Sequence, residues 1–294
     1  AARATGQELL FVATSDHGEE FWEHGGFDHG HSLFDELLHV PLAVYRSGAE
    51  PAVVMSPVDA TALFGTFLDF AGLDRGAADA LPTSDASATV HGRPTLYGVR
   101  QRSVERDGWK YIVRQQNSGR RHRRVRHDPI HQLFDLRRDP REKADRMKAA
   151  PERARELHRL VVDEAVGGFP GAWYAWVGPG DEPVELSFSM TGGEGWHPDI
   201  TDLPWPGQHG ESPKSAMTVD REVTDDAATV RLHVSHRPTL ILLEPRRSEG
   251  DVTVSLGGEP MTAVPEVTTP AELGALMDRS GGDVVVGRMA GEAR

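Results

Sequence analysis

The first apolar segment, Leu9-Leu-Phe-Val-Ala13, has no polar interruption and reads as a buried strand. Val40-Pro-Leu-Ala-Val-Tyr45 reads as a second strand, with Pro41 near its start or on an edge. Between them, Ser15–His39 is polar and predicts a loop with a short helical tail, because Leu33, Leu37 and Leu38 have helical spacing. Ser56-Pro57 is expected to open a helix, with Ser as N-cap, Pro at the first helical position and Asp59 in the first turn. Ala62, Leu63, Phe67, Leu68 and Phe70 give that helix a broad apolar face, and Gly72 ends it. Asp74 to Gly92 has little pattern and reads as a surface loop. Thr95–Arg100, Arg102–Arg106 and Trp109–Arg114 predict short strands, with Asp107-Gly108 as a hairpin turn. A basic loop, Gly119–Asp128, precedes a strand at His131–Leu136, and Pro151–Val166 is a helix with Ala154, Leu157, Leu160 and Val161 on one face.

The texture changes at Gly167-Gly-Phe-Pro-Gly171. Beyond it, β-rich runs alternate with Gly and Pro: Val184–Phe188, Ala216–Val219, Thr229–Val234, Thr239–Leu243, Asp251–Leu256 and Asp283–Val286. This spacing predicts a small antiparallel sandwich and a domain boundary near residue 168, separating residues 1–168 from a β-rich accessory domain at 169–294.

Composition narrows the function. The chain has 294 residues, 38% hydrophobic and 26% charged, in the range of a soluble globular protein. A formal net charge of −13 argues against nucleic-acid binding. Cysteine is absent, which excludes disulfides, thiolate metal sites and a cysteine nucleophile within these residues. No apolar run is long enough for a membrane span, and no signal peptide opens the chain. The start at Ala1-Ala-Arg-Ala, without an initiator Met, reads as the interior of a longer protein.

Candidate chemistry concentrates after the first strand, in Thr14-Ser-Asp-His-Gly-Glu-Glu-Phe-Trp-Glu-His24-Gly-Gly-Phe-Asp-His29-Gly-His31. Asp16 and His17 stand at the carboxyl end of that strand, where α/β proteins place their sites. A carboxylate suits a hard cation such as calcium, and an adjacent imidazole broadens the choice toward manganese or zinc. Gly18 permits a sharp turn after these ligands. An isolated Asp-His pair is common without a metal, but five histidines fall within residues 17 to 39. His24, His29 and His31 can reach the same pocket as further ligands or as partners of an anionic substrate, where an imidazolium stabilises developing negative charge.

This segment resembles the last active-site motif of the sulfatases, in the alkaline phosphatase superfamily. The resemblance is carried by Thr14-Ser15-Asp16-His17-Gly18, Glu23-His24-Gly25, Phe34-Asp35-Glu36 and Val40-Pro41-Leu42. It continues through the helix Ser56–Leu73, the hairpin Arg102-Ser-Val-Glu-Arg-Asp-Gly-Trp-Lys-Tyr-Ile112 and Leu133-Phe-Asp-Leu-Arg-Arg-Asp-Pro-Arg-Glu142. The resemblance implies an α/β fold in which residues 1–168 form the C-terminal part of an alkaline-phosphatase-like domain with its small antiparallel sheet subdomain. It implies that Asp16 and His17 hold a divalent cation, usually calcium in the family. The family's sulfate-contacting Lys has no counterpart here. Counting forward from Asp16 puts His29 in its place, and counting back from Val40-Pro41 puts the place between His29 and His31. His29 is the first choice and His31 the second, with His24 nearby. An imidazole there makes the charge pH-dependent and brings related phosphonate monoester hydrolases into view.

The implied function is hydrolysis of a sulfate ester on a small molecule or glycan, in the periplasm or outside the cell. Hydrolysis or transfer of phosphoryl or phosphonate groups is one alternative, and a non-catalytic remnant or glycan-binding module is another. The family nucleophile, a Cys/Ser-x-Pro-x-Arg motif, is absent: Ser56-Pro57 and Ser212-Pro213 have the wrong spacing. The early Asp-Asp metal ligands are absent too. These residues are therefore expected to lack the catalytic N-terminal portion and to be inactive alone.

Four other features have simpler readings. Arg114 and the run Arg120–Arg126 suggest a clamp for a sulfated glycan, but a solvated hairpin tip in an otherwise acidic protein is the favoured reading. Trp173, Tyr174, Trp176, Trp196 and Trp205 suit a sugar platform less well than core or interface packing. His197, His209, His233 and His236 read as surface or packing histidines, and Asp181-Glu182 and Asp225-Asp226 as turn acids.

Overall fold

The computed structural model describes residues 8–85, 88–92, 101–114, 130–167, 171–191, 199–207, 217–223, 227–234, 238–244, 252–261, 265–281 and 283–290. The expected strand Thr95–Arg100, the basic loop Gly119–Asp128, Ser212-Pro213, Trp196, His197, His209, His236, Asp225-Asp226 and residue 168 itself lie outside them. The architecture is mixed α/β and β-rich, with several sheets and few helices among the described residues.

The N-terminal part is thinly layered. β1 (Leu10–Ala13) pairs antiparallel with β4 (Ala43–Arg46) in a two-stranded sheet. Between them lie a minimal hairpin, β2 (Glu20–Phe21) with β3 (Phe27–Asp28), and a one-turn helix, α1 (Asp35–Leu38). The sequence predicts a buried first strand, yet Phe11 is exposed and β4 is exposed throughout. Leu10 and Val12, on the other face, are half-buried, and Phe70 of the helix that follows lies 5.7 Å from the Arg46 guanidinium, so the pair is covered only in part. α2 (Ala62–Phe70) starts five residues later than the Ser56-Pro57 signal predicts. Asp85 accepts hydrogen bonds from the Met55 and Ser56 amides (2.5 and 2.9 Å), and Asp59 accepts from Thr61, so this stretch is tied into turns before the helix begins.

A four-stranded antiparallel meander follows: β5 (Thr89–Gly92), β6 (Gln101–Arg106), β7 (Trp109–Arg114) and β8 (His131–Asp135). The β6–β7 turn is the expected Asp107-Gly108, with φ of +53° and +69° as its tight geometry requires. β5 occupies the end of the stretch that reads as loop. α3 (Pro151–Gly167) crosses this sheet and buries Ala154, Leu157, Val161 and Ala165.

Two five-stranded sheets complete the molecule. One has the order β12 (Met217–Val223), β13 (Ala227–Val234), β10 (Val184–Thr191), β15 (Val252–Leu256), β16 (Glu259–Pro260). The other has the order β11 (Asp199–Pro204), β14 (Thr239–Glu244), β9 (Trp173–Val177), β18 (Val284–Met289), β17 (Glu266–Val267). They pack face to face through Leu186, Phe188, Val230 and Leu232 on the first and Ala175, Val177, Ile241 and Val286 on the second. The far face of β9 and β14 presents Tyr174, Trp176, Leu240 and Leu242 to an apolar cluster that they share with the buried face of α3 and with Val104, Tyr111 and Leu133 of the meander. Apolar packing is thus continuous from β6 to β18. A last helix, α4 (Pro270–Arg279), joins that cluster through Leu273 and Met277. The aromatics of β9 fill the interior, as does Trp205, which meets Trp176 edge to face at 5.5 Å.

Candidate active site

The histidine loop leaves the end of β1 and is moulded against α1. The Gly18 amide donates to the Leu37 carbonyl at 2.8 Å. A Cβ at Gly18 would lie 2.0 Å from the Glu36 carbonyl oxygen, so this position needs glycine for close approach to α1. Gly18→Ala is expected to cost about 1–3 kcal/mol, as overpacking does. A denaturant midpoint equal to that of the unchanged protein would refute this reading of Gly18.

The structure sorts the predicted site residues into two groups. His24 and His31 act as internal ties. The His31 Nε2 lies 2.6 Å from Glu20 Oε2, and Glu20 is buried. Glu20 Oε1 also accepts from the His24 amide (2.9 Å) and the Gly26 amide (2.6 Å). Burial raises the Glu20 pKa, but the hydrogen bonds from His31, Gly26 and His24 outweigh it and hold the carboxyl below its ordinary value. His24 stacks on Phe34 at 3.6 Å, with Nδ1 2.6 Å from Glu36 Oε1 and Nε2 3.0 Å from the Glu142 carbonyl. Two acceptors on one ring favour the imidazolium. Burial opposes it, yet Glu36 and Glu142 prevail and the pKa is raised.

His17 and His29 form the second group. Their rings stack at 3.9 Å with 22° between planes. His17 Nδ1 lies 2.8 Å from the Gly18 carbonyl. This hydrogen bond chiefly raises the His17 pKa, with Asp16, Glu19 and Asp28 adding to it. His29 Nδ1 lies 2.9 Å from Glu19 Oε1 and 2.8 Å from Asp28 Oδ1. Asp16 sits beside His17 alone: its carboxylate is 88% exposed, accepts from the His17 amide and is 3.8 Å from His17 Nε2, while Glu19 Oε1 lies 4.0 Å from His17 Nδ1 and 2.9 Å from His29 Nδ1. Glu19 replaces it as the carboxylate between the two rings. Ligand atoms of His17, Glu19 and His29 lie within 4.8 Å of one another. This set offers a cation two nitrogens and a carboxylate; calcium, which takes six to eight oxygens, does not fit it.

A buried charge cluster supports the loop from beneath. Lys110 Nζ, on β7, lies 2.6 Å from Asp35 Oδ1 and 2.9 Å from Glu142 Oε1. Glu142 Oε2 in turn accepts from the Asp35 amide at 2.6 Å. Burial disfavours the ammonium, but Glu142 and Asp35 overcome it and raise its pKa. The sequence signal for this cluster was only that Asp35, Lys110 and Glu142 each sit in a segment resembling the sulfatases.

A second buried polar group received no sequence signal. The Tyr111 hydroxyl lies 2.6 Å from His131 Nδ1 and 3.0 Å from His158 Nδ1, inside the cluster around α3. One hydroxyl can donate to only one of these rings, so it accepts from the other, and the two imidazoles hold different tautomers.

No family model matches this chain, and no curated protein does. Among solved structures it is similar to a Bacteroides thetaiotaomicron sulfatase from the metabolism of multiple glycosaminoglycans, at 17% identity and a TM-score of 0.42. The match covers 54% of this chain and 39% of that one, so it spans well under half of that protein's length. No described helix is long and apolar enough to cross a membrane.

Proposed function

We propose that this chain is one portion of a metal-dependent, sulfatase-like hydrolase of sulfate esters, and that it is inactive alone. One observation carries the reading: every exposed large apolar side chain among the described residues falls between Leu9 and Leu73, around the histidine loop. Phe11, Val44 and Tyr45 on the β1–β4 pair, Phe64 and Phe67 on α2, and Trp22 and Phe27 on the hairpin all face solvent. A two-stranded sheet with apolar residues exposed is marginal by itself and marks a surface made to be covered. Further strands and helices on that surface would bring the missing nucleophile and the remaining ligands to the carboxyl end of β1. There Asp16 and His17 would contribute to a divalent cation site, of calcium, manganese or zinc. His29, or His31 after release from Glu20, would meet the anionic group, with His24 held behind them. The bound cation would lower the cost of charge on an attacking oxygen. Periplasmic or extracellular residence follows from the resemblance alone.

A second reading, hydrolysis of a phosphoryl or phosphonate ester, is favoured by the imidazole of His29 where sulfatases use Lys. The discriminating experiment is to sequence the DNA upstream of the Ala1 codon. An in-frame Cys/Ser-x-Pro-x-Arg motif supports the sulfatase reading, and a Thr or unrelated Ser there supports the phosphoryl one. A stop codon with no catalytic half overturns both. The purified chain, assayed with aryl sulfate and aryl phosphate esters in calcium, manganese or zinc, is expected to show no turnover. Clear metal-dependent hydrolysis would contradict its inactivity.

A further inference from the structure

We propose that the guanidinium of Arg114, seated by Gln101, binds an oxyanion of a small ligand: a sulfate, phosphate or carboxylate. The inference stands on the meander and not on the hydrolase reading. The two residues are Cα partners at the end of the β6–β7 ladder. Side chains directly opposite on an antiparallel pair share a face, with Cβ atoms about 4.5–5.5 Å apart. That face is the one beneath the histidine loop. Lys110 on it holds Asp35, and Ile112 packs with Leu33 and Phe34, whereas Tyr111 and Val113 belong to the cluster around α3. Arg114 comes next along the loop-facing side, roughly 14 Å from Lys110 at strand spacing, and so lies apart from the buried charge cluster.

Arg114 is a cation without an anion. The chain has 45 Asp and Glu against 32 Lys and Arg, so carboxylates are abundant, yet among the described residues none pairs with this guanidinium. Arg102, next to Gln101 on β6 but facing α3, holds Glu164 at 2.7 Å, and Arg153 holds Glu156 at 2.6 Å. The position is also not the solvated hairpin tip that the arginine-rich sequence suggests. Arg114 belongs to β7 and is half-buried, and its Nε is cut off from water with no hydrogen-bond partner. Gln101 is 6% exposed, and its Oε1 is likewise cut off and unpartnered. A partly desolvated cation with no counter-charge costs stability, so packing alone does not account for it. A modest side-chain rotation joins the Arg114 Nε–H to Gln101 Oε1 and satisfies both. That bond would turn the two terminal nitrogens outward as a planar pair of donors, which matches two oxygens of a sulfate, phosphate or carboxylate.

The test is an NMR titration of the isotope-labelled chain with glucose monosulfate, glucose monophosphate and glucuronate, with glucose as the uncharged control. The Arg114 Nε–H resonance, assigned by its absence in Arg114→Lys, should shift saturably with at least one oxyanion sugar and not with glucose. The sugar bound most tightly names the ligand class. Affinities are read from the backbone amides of β6 and β7, which serve every variant. Arg114→Lys keeps the charge but loses the fork, and should weaken binding at least about tenfold, as loss of a charge-assisted hydrogen bond does. Gln101→Leu should weaken it less and speed hydrogen exchange at Arg114 Nε–H. Replacing the arginines of the run Arg120–Arg126 with Gln should leave the affinity unchanged. Far-UV circular dichroism checks the fold, and Arg114→Gln serves if Arg114→Lys fails it. No saturable shift with any oxyanion sugar, an equal shift with glucose, or unchanged affinity in Arg114→Lys overturns the proposal. Loss of binding only when the Arg120–Arg126 run is replaced would move binding to that run and overturn it equally. Unchanged exchange in Gln101→Leu overturns the part given to Gln101. No turnover is measured, so this proposal and the hydrolase reading fail separately.

Discussion

Lys110→Met is expected to destabilise the protein by about 3–5 kcal/mol, the range for stripping one partner from a buried ion pair. Lys110 is 2% exposed, and its ammonium is the cation between Asp35 and Glu142. Met replaces the aliphatic stem at nearly equal volume, so packing loss contributes little. The cost comes from the carboxylates. Glu142 is buried, and Asp35 is held against it by the 2.6 Å bond from its own amide to Glu142 Oε2. Without the ammonium, one of them must take a proton or both must move toward water. Asp35 begins α1, and α1 supplies the carbonyl that holds Gly18, so the damage should spread to the histidine loop. Glu142→Gln in the Lys110→Met background should recover part of the loss, a coupling that a double-mutant cycle in urea would read directly. A Lys110→Met effect under about 1 kcal/mol would mean that the cluster is solvated and the carboxylates relax freely.

The sequence made some of this legible and hid the rest for physical reasons. The β6–β7 hairpin was readable because Asp107-Gly108 has one conformational use between two alternating runs. Most strands of the facing sheets were readable from Val, Leu and Thr alternation, since each buries one face more deeply than the other. β9 was not: Trp173-Tyr-Ala-Trp-Val177 is packed on both faces, by the first sheet and by the cluster around α3, which erases the alternation. α4 carries a full start signal outside the β-rich pattern that surrounds it, with Thr269 accepting from the Glu272 amide, Pro270 following it and Glu272 reaching back to Thr268. At the site, the density of histidines located the loop but did not divide it. Glu19 and Glu20 are adjacent, yet one faces His29 at the surface and the other is buried against His31. That division depends on which way a two-residue strand turns its side chains, and the sequence of the loop has no periodicity long enough to reveal it.

Acidification from pH 7 to pH 5 is expected to remove about 2 kcal/mol of stability through His158 alone. The ring is wholly buried in α3, faced by Tyr111, His131 and Trp205, and among the described residues no carboxylate pairs with it. Burial alone lowers its pKa from 6.5 to about 3. The unfolded chain therefore takes up a proton near pH 6.5 that the folded chain refuses until near pH 3. Between those values the unfolded state binds more protons, so stability falls as pH falls, by about 1.4 kcal/mol per pH unit. Glu20 adds a separate loss at lower pH: its folded pKa lies below the unfolded value, so its contribution, full above about pH 4.5, disappears as pH drops through the folded value. His24 has the opposite sign, since its raised pKa gives stability that is complete below about pH 6.5 and lost as pH rises through the folded value. The His158 effect is isolated by His158→Asn, whose amide can keep the bond to the Tyr111 hydroxyl. That variant should be less stable at pH 7.5 but should lose markedly less between pH 6.5 and pH 5 in urea titrations. Parallel pH dependence in the two proteins would show that the folded state accommodates the His158 proton. The buried Tyr111 hydroxyl would then have to reorient with it, because it cannot accept a hydrogen bond from one ring and donate to the other once both Nδ1 atoms carry protons.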